Sequence, residues 1–143
     1  MTEVLIAGIG SPHGADRLGW AVVEALKTVC LPVPATLVSC RLPSELTPLL
    51  LEAPHAIVLD AMLGNGPAGK IHVLRVADLA GAGLRLSSHG LGLVEAIQLA
   101  SVLGMHESRM QLLVLDVVEP EAEIEMAWVT AMLERVIEML SEA

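Results

Sequence analysis

Residues 56–60 read AIVLD, four apolar residues and then an acid. The run is short, and it does not alternate with polar residues. It therefore reads as a strand covered on both faces, the kind that builds parallel sheets. VLIAG at 4–8 has the same character. Working outward from these two, ATLVSC (35–40) and QLLVLDVV (111–118) read as further strands. GNGPAGKIHVLRV (64–76) reads as a turn-rich loop and then a strand that alternates more, as an edge strand does.

Helical patterns fall between the strands. Leu18, Val22, Ala25, Leu26 and Val29 recur at helical spacing, with Glu24 and Lys27 elsewhere on the wheel. LPVP (31–34) ends that helix. PSELTPLLLE (43–52) reads as a short helix capped by Ser44. A longer helix is expected from about Leu91 to Leu103. Met126, Val129, Leu133, Val136, Ile137 and Leu140 form the apolar stripe of a last one. There is no repeat, low-complexity tract or interdomain linker. Alternating strands and helices predict one α/β domain over residues 1–143. Its twisted five-stranded sheet is mostly parallel, with helices on both faces.

Composition narrows the chemistry. Of the 143 residues 54% are hydrophobic, yet there is no Tyr or Phe and only two Trp, so the core is aliphatic. No run reaches the roughly 18–20 apolar residues that a spanning helix needs. The first residues, MTEVLIAGIG, carry an acid where a signal peptide would carry positive charge, so a cytoplasmic protein is expected. A net charge of −9 argues against non-specific nucleic-acid binding. Cys30 and Cys40 form no CxxC and read as free buried thiols.

In parallel sheets ligands bind beyond the carboxyl ends of the strands. Three polar residues fall there. Asp60 ends the AIVLD strand, Asp16 lies in the loop after VLIAG, and His89 stands just before a helix. Two carboxylates and an imidazole suit a borderline divalent ion such as nickel or zinc. Each also has a structural reading: Asp16 as a helix cap, Asp60 as an acceptor for loop amides, and His89 as a satisfied residue near a helix end. His13, His55, His72 and His106 read as ordinary surface residues, with His13 notable for sharing a loop with Asp16. The loop GIGSPHGADRLG mimics a dinucleotide fingerprint but has His13 where the third glycine belongs. No P-loop, G-x-S-x-G or HExxH is present.

GIGSPHGADRLGW (8–20), AIVLDAM (56–62), SSHGLGLVEAIQLA (87–100) and VVEP (117–120) together resemble the hydrogenase maturation protease family. Order, spacing and length agree over nearly the whole chain, and SHGLGL is the most specific piece. The resemblance implies an endopeptidase that removes the C-terminal extension of a nickel–iron hydrogenase large-subunit precursor after nickel insertion. It implies that Asp16, Asp60 and His89 read the nickel, which belongs to the substrate and for which other divalent ions can stand in. The same three residues are then the catalytic candidates, with water as the attacking group. The alternative on the same scaffold is a nickel checkpoint that binds the large subunit without cutting it.

Three departures from the family pattern stand out. The usual pair of acids in the first loop is here Ala15-Asp16-Arg17. The register that keeps Gly19 puts Asp16 on the ligand position, and the other register puts Arg17 there. SCRLPS replaces the acidic turn after the second strand, so Arg41 bears on substrate choice. The last loop is short, and its acids Glu119, Glu121, Glu123 and Glu125 read as a solvated face.

Overall fold

The strands form in chain order as β1 (Val4–Ile9), β2 (Ala35–Cys40), β3 (His55–Leu63), β4 (Ile71–Arg75) and β5 (Met110–Val117). In this computed structural model residues 3–64, 67–79 and 90–142 are described. The sheet order is β2-β1-β3-β5-β4. Every neighbouring pair is parallel except β4 with β5. The alternating 71–75 run is thus an edge strand, as expected, and it runs antiparallel to β5.

Helices cover both faces. They are α1 (Leu18–Leu26), α2 (Leu46–Glu52), α3 (Val76–Leu79), α4 (Gly90–Val102) and α5 (Met126–Ser141). Because side chains alternate along a strand, each strand feeds two cores. Val4, Ile6, Leu59, Leu113 and Leu115 pack with α1 and α5. Leu5, Ile9, Val58, Leu112 and Val114 pack with α2, α3 and α4. Thr47 of α2 donates its hydroxyl to Ala96 O of α4 at 2.9 Å, which ties two helices of the second layer together without leaving a buried hydroxyl unpaired.

Four details depart from the sequence reading. First, β3 does not stop at Asp60. It runs on to Leu63, because β5 continues to offer it partners as far as Val117. Its pairing with β1 ends earlier, at Leu59. Second, the apolar stripe of α5 is Trp128, Val129, Met132, Val136 and Leu140, whereas Met126 is 76% exposed. The first turn of α5 overhangs the core, and Trp128 is drawn in beneath Gly69, whose would-be Cβ lies 3.3 Å from the indole nitrogen. Third, Ser44 makes no cap. Glu45 accepts from the backbone N–H of Leu42 at 2.9 Å and of Arg41 at 3.3 Å, and a 3-10 turn (Pro43–Glu45) leads into α2. Fourth, Cys40 is buried at the end of β2, but Cys30 is exposed in the segment after α1; both are free.

Candidate functional site at the carboxyl rim of the sheet

The first loop is fastened on three sides. Gly10 N–H and the Trp20 indole N–H both donate to Cys40 O, at 3.1 and 3.0 Å, which anchors the loop to the end of β2. Ala15 N–H donates to Pro120 O at 3.0 Å, which anchors it to the loop after β5. Ser11 N–H closes the loop on itself through Asp16 O at 3.1 Å. Gly14 has φ +54°, and a Cβ there would lie 2.5 Å from Pro120 O, so the turn requires glycine.

Asp16 sits inside the 3-10 turn Gly14–Arg17 that follows, 7% exposed. It is not the cap of α1; that position is Arg17, which makes no side-chain cap. Asp16 lines a cleft of about 470 Å³ together with Ser11, His13, Leu63, Pro120 and Glu121. Arg17 is exposed and is not part of the cleft wall. The 3-10 turn carrying Asp16 packs against β3.

Asp60 is fully buried, and its Oδ1 accepts the backbone N–H of Ala61 at 2.8 Å. It lies one residue beyond the last β3 position paired with β1, so the sheet opens on that side just where the carboxylate sits. On β3 it alternates with Leu59 and Ala61, which belong to the α1/α5 core, and so shares the opposite face with Val58. His89, with Ser87 and Ser88, lies outside the described residues; α4 begins at the next residue, Gly90. Among the described residues no three His, Cys, Asp or Glu side chains gather as a metal site. The two described candidates are carboxylates, oxygen donors suited to a hard or borderline divalent ion.

Two polar residues escaped the sequence reading. His72, expected on the surface, has its Nε2 3.0 Å from Oδ2 of Asp116, a carboxylate only 7% exposed. The signal was present as an acid inside the apolar run QLLVLDVV, but its partner lies 44 residues away. At the end of β2 the Arg41 guanidinium lies 5.8 Å from the centre of the Trp20 ring, a cation–π distance that orders it beside the first loop. Nearby, burial and then the negative charge of Glu45 push the Cys40 thiol up to about 11, so it stays protonated and inert.

The cleft that holds Asp16 and Glu121 lies beyond the carboxyl ends of the strands, the place where open α/β sheets generally bind ligands. The family model for hydrogenase maturation protease, HycI, matches residues 21–143, and the chain belongs to that family. Solved structures agree in fold over nearly its whole length. The hydrogenase maturating endopeptidase HybD from E. coli is 22% identical, with a TM-score of 0.76 over 99% of this chain and 93% of that one. A hydrogenase maturation protease HycI from Thermococcus kodakarensis is 21% identical, with a TM-score of 0.71 over 99% and 91%. An endopeptidase from Escherichia coli is 23% identical, with a TM-score of 0.75 over 97% and 90%. No curated protein sequence matches the chain.

Proposed function

We propose that the chain is a cytoplasmic endopeptidase that removes the C-terminal extension of a nickel–iron hydrogenase large-subunit precursor once nickel has been inserted. Family membership over residues 21–143 carries the peptidase class. The place of Asp16 in the cleft wall, with Arg17 outside it, supports Asp16 as the first-loop member of the site. This favours the register in which Asp16 is the first-loop ligand.

In this reading Asp16, Asp60 and His89 meet nickel that arrives with the substrate. Two oxygens and an imidazole nitrogen form an acceptable donor set for it. A three-residue set leaves room for donors from the large subunit. The bound ion supplies recognition and a Lewis acid beside the scissile carbonyl. The protein positions the tail of the precursor in the cleft, and a carboxylate not engaged with nickel accepts the proton of the attacking water. Among the described residues no helix is long and apolar enough to cross a membrane. The test is direct: purified precursor and this protein are mixed, and the precursor is followed by gel mobility. A discrete shortening supports the peptidase. Stable complex formation without shortening replaces it by the checkpoint reading.

A further inference from the structure

We propose that the groove between α2 and α4 is the surface on which the large-subunit precursor docks, and that it takes the apolar face of an amphipathic helix carrying a Lys or Arg opposite Glu95. The inference rests on the reading above for the identity of its partner.

The two helices lie side by side and run the same way. A Cβ on Gly92 would lie 3.1 Å from Pro43 Cγ, and one turn further along both segments Thr47 bonds to Ala96 O. Another turn of each helix brings Leu51 level with Ala100. Between the helices lies a groove of about 600 Å³, with Leu42, Pro43, Pro48, Ala96 and Leu99 in its walls. The Thr47 hydroxyl in that wall is already engaged by Ala96 O, so the surface there is offered to apolar atoms.

The sequence of α4 explains why this face is apolar and open. Leu93, Ile97 and Ala100 turn inward to the sheet. Glu95, Leu99 and Val102 recur at steps of four and three and form a separate stripe. Leu103 keeps the spacing, because its N–H still donates to Leu99 O at 2.9 Å. Of the eight large apolar residues exposed among the described residues, five border the groove or continue its line: Leu42, Leu51, Leu99, Val102 and Leu103. Exposed apolar residues scattered singly need no explanation, but a contiguous group marks a contact surface.

The position of the groove fits the precursor. It opens at the carboxyl rim, since Gly92 is two residues inside α4, whose first residue follows His89, and Leu42 is two residues past the end of β2. Asp60 faces the same side of the sheet, with Val58 and the α2–α4 layer. A stable interface buries about 800 Å² on each partner. A rim cleft walled by a handful of side chains supplies only part of that, so a folded precursor needs a second contact continuous with the rim.

A second copy of this chain suits the groove poorly. A twofold contact would set a concave surface against itself and bring two Glu95 side chains into one apolar interface. Each copy also carries a net charge of −9. Glu95 is exposed, it is the one charged side chain in the groove wall among the described residues, and none of their cations pairs with it. A helix that brings a Lys or Arg to Glu95 answers that charge, while its apolar ridge fills the space between α2 and α4.

The experiment measures binding of nickel-loaded precursor (Kd) apart from its cleavage (kcat and KM). The variants are Leu99→Asp, Val102→Asp and Glu95→Lys, all at exposed positions, with Met126→Asp as control on α5, which packs on the other face of the sheet. Circular dichroism verifies that each is folded. Each of the three groove variants raises Kd and KM about tenfold or more, the scale of an interface anchor, while kcat at saturating precursor stays within about twofold. Met126→Asp leaves all three constants at the wild-type values. A photo-crosslinking residue in place of Val102 attaches to a precursor helix that is apolar on one face and carries Lys or Arg. Unchanged Kd in folded Leu99→Asp and Val102→Asp overturns the proposal, and so does a crosslink to a second copy of this chain. The peptidase reading fails separately. A precursor that binds the wild type, binds the groove variants weakly and is never cut removes the peptidase and keeps the docking surface. A precursor that the wild type neither binds nor cuts removes both.

Discussion

Gly8 and Gly19 touch backbone to backbone where α1 crosses the end of β1: a Cβ on Gly8 would lie 2.4 Å from Gly19 O. From the other side, a Cβ on Gly19 would lie 2.6 Å from Ile9 O and 2.8 Å from Leu59 O. The contact seats α1 on β1 and β3 and thereby aims the turn that carries Asp16. Glycine stands at both positions because no side chain fits between the two backbones.

Gly8→Ala and Gly19→Ala should each destabilise the fold by about 1–3 kcal/mol, as overpacking does. Urea unfolding monitored by circular dichroism measures it. Unchanged midpoints would show that α1 can ride outward freely.

Asp16 and Arg17 are neighbours with opposite fates, one in the cleft wall and one in solvent. Asp16→Ala should reduce precursor processing by at least about a hundredfold, the scale of a lost charged group at a reaction centre. Arg17→Ala should stay within a few-fold of wild type. Single-turnover processing assays compare them, and the reverse order would move the ligand position to Arg17.

The apolar stripe of α5 can be tested at two methionines. Met132 is fully buried and Met126 is 76% exposed. Met132→Ala should cost about 2–5 kcal/mol, whereas Met126→Ala should stay within about 0.5 kcal/mol. Chemical denaturation of both variants checks the difference.

Cys40 links stability to alkaline pH. Its thiol is pushed up to about 11 from 9.0. Between those values the unfolded chain has lost the proton and the folded chain keeps it, so stability falls as pH rises through this window. The span amounts to about 2–3 kcal/mol, fully present below pH 9 and lost by pH 11. Denaturant melts at pH 8.5 and 10.5 should show the decline in the wild type and a shallower one in Cys40→Ala. At pH 8, a thiol reagent should label exposed Cys30 rapidly and Cys40 only on unfolding.

Local pattern carried much of the architecture. ATLVSC matches β2 residue for residue, and the helix expected from Leu18 begins there. Both faces of the sheet are covered, as the unbroken apolar runs of β1 and β3 require. Features fixed by distant partners were less legible. The length of β3 past Asp60 depends on how far β5 extends. Which face of α5 goes inward depends on the space beneath Gly69, because Met126 and Trp128 are both apolar and only packing separates them. At the candidate site, the strand-end argument singled out Asp16 and Asp60, and both are buried near the carboxyl ends of the strands. It passed over His72 and Asp116, since a histidine on an edge strand carries no local mark of a carboxylate on the next strand.

The central claim is nickel-dependent cutting of a defined tail, and intact mass spectrometry tests it most directly. Nickel-loaded large-subunit precursor and a nickel-free control are each incubated with the protein. Loss of one discrete C-terminal peptide from the nickel-loaded sample alone is the predicted result. An unchanged mass in both samples, or equal cleavage in both, would contradict the account.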